Sequence, residues 1–85
     1  MKKIVILGAG ESGTGSAVLA RQKGFDVFVS DMGEVKEKYR DLLNSHGIRW
    51  EEGIHTEDEI LTADEVIKSP GVREDAPIIV KLRER

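Results

Sequence analysis

The sequence predicts an α/β fold in three layers: a parallel sheet of four strands, order 3-2-1-4, with helices on both faces. Three observations predict it. Strand-like and helix-like segments alternate along the chain as βαβαβαβα. The first strand-like run, Lys3–Leu7, is unbroken Ile-Val-Ile-Leu after its lysine, as a strand buried on both faces requires. Glycines then crowd the segment Gly8–Gly15, where such a strand must turn into a helix. Parallel strands joined by helices need right-handed crossovers, and these give the strand order.

Taken in order, Lys3–Leu7 is strand one, and a helix runs from Ser12 or Gly13 to Lys23. Gly13, Ala17, Ala20 and Gly24 fall at helical spacing and are all small, so that face can approach a sheet closely. Gly24 suits the left-handed residue that ends a helix. Phe25–Ser30 reads as strand two, with Asp31-Met32-Gly33 as its turn. Glu34–Ser45 reads as an amphipathic helix with the stripe Val35, Tyr39, Leu42 and Leu43, and with Glu34 and Lys38 as an i, i+4 pair. Gly47 ends it, and Ile48–Glu52 is strand three. Thr56-Glu57-Asp58-Glu59 has the capping-box pattern ahead of a short helix, Glu57–Leu61. Glu65–Lys68 is strand four, broken by Ser69-Pro70-Gly71. The last helix starts near Pro77, with Ile78, Ile79 and Leu82 on one face.

Composition narrows the function classes. The chain has 85 residues, 39% hydrophobic and 34% charged, enough for one domain over 1–85. Its net charge is −3 with both signs interspersed, which speaks against nucleic acid as a partner. No apolar run approaches the ~20 residues of a membrane helix, and the run after Met1-Lys2-Lys3 is too short for a leader. There is no cysteine, so disulfides and thiolate metal sites are excluded and a cytoplasmic location is expected.

The chemistry concentrates in Gly8-Ala9-Gly10-Glu11-Ser12-Gly13, a G-x-G-x-x-G run between a strand and a helix. Gly8 permits a tight turn, Gly10 lets the backbone approach an anion, and Gly13 lets the helix pack on the sheet. The helix N-terminus then offers free N–H groups to a phosphate, and Ser12 can add a hydroxyl. The motif makes the domain Rossmann-like. Asp31, at the end of strand two, suits ribose hydroxyls, the N3–H of a uracil, or a plain turn. Ser69-Pro70-Gly71 ends strand four beside the switch point of the strand order, where ligands of open α/β sheets bind. His46 and His55 read as solvated loop histidines, Trp50 as packing, and no general acid–base pair or metal ligand set is apparent.

Taken together, Lys3–Gly13, Ser30-Asp31, Gly53-Ile54-His55 and Lys68–Gly71 resemble the N-terminal domain of the D-glutamate-adding ligases of the Mur ligase family, over nearly the whole chain. The resemblance implies that the chain is the UDP-substrate-binding part of a longer, monomeric ligase. That ligase joins D-glutamate to UDP-N-acetylmuramoyl-L-alanine in peptidoglycan synthesis, with ATP and magnesium bound by its other domains. It implies that Glu11 and Ser12, flanked by Gly10 and Gly13 and helped by Gly71, face the diphosphate. Asp31 would hold the uracil beside the backbone of Met32 and Gly33, and Ser69 and Pro70 would wall the pocket. Two positions depart from the family pattern. Glu11 stands where many members have a small apolar residue, so only its N–H is expected to face phosphate. Met32-Gly33 stands where many have a polar or basic residue, leaving backbone donors alone. No Gly-x-x-x-x-Gly-Lys-Ser/Thr occurs, so these residues are expected to bind no cofactor and to catalyse nothing alone.

Two other readings fit the glycines. One is an NAD(P)-binding domain of a dehydrogenase or of a potassium-channel regulator, which Asp31 also suits. The other is a stand-alone regulatory module that kept the fold and lost the ligand.

Overall fold

Four parallel strands form one sheet in the order β3-β2-β1-β4 in the computed structural model, which describes residues 1–85. The elements are β1 (Lys3–Leu7), α1 (Glu11–Gln22), β2 (Asp26–Asp31), α2 (Glu37–Ser45), β3 (Arg49–Glu52), α3 (Glu57–Leu61), β4 (Glu65–Lys68) and α4 (Pro77–Glu84). The register sets Leu7 opposite Ser30 on β2 and opposite Lys68 on β4, so the carboxyl ends of the three strands lie side by side.

Side chains of a strand alternate between faces, and β1 divides its residues accordingly. Ile4 and Ile6, with Val27 and Val29 of β2, pack under Ala17 and Ala20 of α1 and Leu43 of α2. Val5 and Leu7, with Phe28, pack under Ile60 of α3 and under Ile78 and Ile79 of α4. Both faces are thereby covered, as the continuous apolar run of β1 predicts. On α1 the buried residues are Gly13, Thr14, Ala17 and Ala20, the small stripe that brings the helix close to the sheet.

Three local expectations fail, each for a stated reason. Helix α2 starts at Glu37, so Glu34 lies outside it and makes no i, i+4 pair with Lys38. Val35 precedes the helix as a buried anchor, its N–H donating to Glu52 Oε1 at 2.9 Å. Thr56 does not cap α3: its hydroxyl and its N–H both go to the Glu51 carboxylate. Strand β2 also runs one residue further than Phe25–Ser30 suggests, because Asp31 still pairs with Glu52.

Candidate functional site

The first turn of the site is shaped by contacts that only glycine allows at two positions. Gly8 has φ +100°, and a Cβ there would meet Ser69 Cβ at 2.7 Å. A Cβ on Gly13 would lie 1.8 Å from the Gly8 carbonyl oxygen, so α1 can sit this close to β1 only with glycine at that place. Gly10 is different. Its φ is −81°, open to any residue, and a Cβ there meets nothing within 4 Å. Nothing inside the protein demands glycine at that position.

Helix α1 begins with no side-chain cap. The N–H groups of Gly10, Glu11, Ser12 and Gly13 have no partner in the protein; the first bond of the helix is Thr14 N–H to the Gly10 carbonyl at 2.9 Å. Four orphan donors at a helix start, with the helix dipole behind them, have the chemistry to receive an anion. The chain after β4 closes on the same place. Ser69 N–H donates to the Leu7 carbonyl at 2.8 Å, and Val72 N–H to the Ser69 carbonyl at 3.0 Å. That turn leaves the Gly71 N–H free on the rim.

Asp31 does more within the protein than the sequence indicates. Its Oδ2 accepts the Ala9 N–H at 2.7 Å, and its Oδ1 accepts the Gly33 N–H at 2.8 Å. The carboxylate thus ties the glycine turn to the end of β2. Each oxygen keeps one lone pair for a ligand. Gly33 has committed its donor to Asp31, whereas the Met32 N–H has no partner and the Met32 side chain is 59% exposed.

These turns enclose a crevice of about 570 Å³, of the size nucleotide-like ligands occupy. Of the residues singled out in the sequence, Gly10, Asp31, Met32, Ser69 and Gly71 line it. Glu11, Ser12, Gly13, Gly33 and Pro70 do not: Glu11 and Ser12 stand exposed on the first turn of α1, and Gly13 is buried against Gly8. Arg73 is the only cation on the wall, its guanidinium held by both oxygens of Asp75 at 2.9 Å.

His55 is the residue that the sequence undervalued. It is half-buried, lines the crevice, and belongs to a polar cluster below it. Fully buried Ser30 Oγ lies 2.6 Å from Glu51 Oε2, 2.7 Å from His55 Nδ1 and 3.1 Å from the Ile54 carbonyl. Burial pushes the Glu51 carboxyl up, but the bonds from Ser30 and Thr56, with His55 beside it, together hold it below its ordinary value. Burial also holds the His55 imidazole below its ordinary value, against the opposing pull of Glu51 and Asp31. The cluster gathers β2, β3 and the loop before α3. The Gly-Ile-His run was the one hint of it in the sequence.

Comparison with known proteins gives a consistent picture. A family model described as the MurD N-terminal domain matches residues 3–78. A UDP-N-acetylmuramoylalanine--D-glutamate ligase from Bacteroides thetaiotaomicron is 70% identical over 83 residues, covering 98% of this chain and 19% of that protein. One of the same name from Bacteroides fragilis is 67% identical over 85 residues, 100% of this chain and 19% of that protein. The chain therefore spans about a fifth of the length of these relatives. Among solved structures, a pseudomurein peptide ligase type C from Methanothermus fervidus superposes with TM-score 0.86 at 29% identity, over 99% of this chain and 17% of that one. A ferredoxin reductase from Rhodopseudomonas palustris, TM-score 0.64 at 24% identity over 96% of this chain and 27% of that one, shows the fold alone.

Proposed function

Because the chain belongs to the MurD N-terminal domain family, we propose that it holds the UDP end of UDP-N-acetylmuramoyl-L-alanine within a D-glutamate-adding ligase of peptidoglycan synthesis. The observation that carries this reading is the free start of α1. Four N–H groups without partners open α1, and the first of them belongs to Gly10, a glycine that lines the crevice at the carboxyl ends of β1, β2 and β4 and that the protein's own packing does not require. A diphosphate supplies the acceptors these donors lack, and room at Gly10 lets it approach the backbone. Gly71 adds a donor from the loop after β4, Asp31 keeps lone pairs for a uracil imide or a ribose hydroxyl, and Ser69 lines the wall.

On this reading ATP and magnesium are handled by the rest of the ligase. This chain has no phosphate-binding loop of the Gly-x-x-x-x-Gly-Lys-Ser/Thr type, and nowhere do three His, Asp or Glu groups gather as metal ligands. Its part in the reaction is to bind and orient one end of the substrate. The remaining binding energy comes from other domains, so UDP should bind the isolated chain weakly.

Titration with UDP, and separately with NAD, followed by backbone amide chemical shifts, tests the proposal. UDP is expected to move Gly10–Gly13, Met32 and Gly71. Movement with NAD and none with UDP would replace this reading with a dinucleotide-binding one. Asp31→Ala sharpens the result: it should weaken UDP more than inorganic diphosphate. Equal losses would mean that Asp31 acts only by holding the Ala9 turn.

A further inference from the structure

The hydrogen bonds around Ser30 fix the state of the His55 ring. A serine hydroxyl carries one proton, and Glu51 and the Ile54 carbonyl offer only acceptors to it. The proton goes to Glu51 Oε2, the shorter contact at 2.6 Å. The 2.7 Å contact with His55 then needs its proton from the ring, so Nδ1 carries the hydrogen and donates to Ser30 Oγ. This assignment follows from the network of partners. In the neutral ring Nε2 is left as a bare acceptor.

Nε2 has no partner in the protein, and no buried side-chain nitrogen or oxygen lacks one, so Nε2 is open to solvent. The space the ring borders is the crevice and a smaller cavity of about 270 Å³ that continues from it. The two share Met32, His55, Ala76 and Pro77, and the smaller one adds Ile54 and Ile78. The continuation is an apolar slot in which His55 supplies an uncharged hydrogen-bonding group; Glu57 is the only other side chain there with polar atoms beyond the Met32 thioether. Such a slot suits the flat, weakly polar half of a nucleotide whose phosphates lie on α1.

We propose that His55 is a specificity-determining residue of this crevice, accepting at Nε2 a hydrogen bond from a neutral donor on the nucleoside of the bound nucleotide. Two groups of a uridine nucleotide have that chemistry, the imide N3–H and the ribose hydroxyls. The geometry deepens the UDP reading given above and rests on it. Ser30 and Glu51 act behind His55: they hold the tautomer and ring orientation, and do not touch the ligand.

The experiment combines ring nitrogen chemical shifts of His55 with binding by variants of the 85-residue chain. In the free chain at neutral pH, the ring should show a protonated Nδ1 and a bare Nε2, and UDP should shift the Nε2 resonance. His55→Leu should weaken UDP about tenfold, the scale of one neutral hydrogen bond to a buried group, and leave inorganic diphosphate unchanged. N3-methyl-UDP, 2′-deoxy-UDP and 3′-deoxy-UDP separate the imide from each ribose hydroxyl. The analogue that lacks the relevant donor should bind wild type and His55→Leu equally, while the others keep the tenfold difference; if all three keep it, the proposal is overturned. The proposal is overturned if UDP moves the Gly10–Gly13 amides without shifting Nε2, or if His55→Leu weakens UDP and diphosphate alike or neither. Failure of the UDP reading looks different: the amides of α1 themselves stay still.

Discussion

The two ends of the crevice are built on opposite plans. At the α1 end the functional groups are backbone amides, and side chains matter chiefly by being absent, at Gly8, Gly10 and Gly13. At the His55 end the backbone contributes little, and the shape is held by side chains from three places in the chain: Ser30, Glu51 and the pair His55 and Thr56. The first end is local, about six consecutive residues on one turn. The second exists only once β2 and β3 have paired, Ser30 opposite Glu51. Anion binding should thus survive changes in the His55 cluster that spare the first turn, the Asp31 carboxylate that ties it and the Gly71 N–H. Discrimination between nucleosides should depend on the integrity of the sheet.

The strongest test of this division lies among the glycines. Gly13→Ala places a methyl group 1.8 Å from the Gly8 carbonyl, an overlap with backbone that no rotamer relieves. It should cost about 3 kcal/mol or more, a large part of the stability of a domain this size, and be read as a lower urea midpoint. Gly10→Ala adds the same methyl group to open space. Its stability should stay within about 0.5–1 kcal/mol of wild type, while UDP and inorganic diphosphate both bind about tenfold more weakly. If Gly10→Ala binds normally, the anion does not approach at that point and the plan drawn for the first end is wrong.

Ser30→Ala attacks the other end. The buried hydroxyl satisfies a carboxylate and an imidazole at once, so its loss should cost about 1–3 kcal/mol. In addition, the ring of His55 should populate both tautomers, visible in its nitrogen shifts. Diphosphate binding should remain near wild type in the folded protein. A matching loss of diphosphate affinity would show that the two ends are mechanically one.

The contrast also explains what was legible in the sequence. The strand order, both faces of helices and the glycine turn follow from local patterns: a doubly buried strand, small residues at helical spacing and G-x-G-x-x-G before a helix. Val35 was read as part of α2 because it fits the helical period, yet its N–H is claimed by Glu52 on another strand. Thr56 reads as a cap because Thr56-Glu57-Asp58-Glu59 has the capping-box pattern, and Glu51 claims it instead. His55 was read as solvated, because nothing near it in sequence shows that Ser30, twenty-five residues earlier, waits beneath it. Two of the misses are bonds to an acid on β3, Val35 to Glu52 and Thr56 to Glu51, and the third is the bond between His55 and Ser30 on β2; none of these partners is marked by the helical or capping pattern of the residue itself.

The smallest expected effect is in the pH dependence of stability, and its sign is fixed. His55 and Glu51 both titrate lower in the folded chain than their ordinary values of 6.5 and 4.5. In each window just below those values the unfolded chain binds a proton that the native chain refuses, so stability falls as pH falls. Above 6.5 the His55 contribution is fully present, and it is lost as pH drops through the folded value. Glu51 repeats the pattern from 4.5 downward. The charged or polar groups around the ring are Ser30 and Asp31 from β2, Glu51 from β3, Thr56 just ahead of α3, Glu57 from α3, and Arg73 and Asp75 ahead of α4. Burial holds the imidazole down and outweighs the upward pull of Glu51 and Asp31. Urea midpoints measured from pH 7.5 to about 3 should therefore decline in two steps, and His55→Leu should remove the upper one alone. The lower step should persist in that variant, because Glu59 is also held low, first by its bond from Lys3 and then by Arg49, the residues that open β1 and β3. A profile in which His55→Leu leaves the upper step untouched would mean that the ring titrates as a solvated histidine, and the side-chain end of the crevice would lose its organising residue.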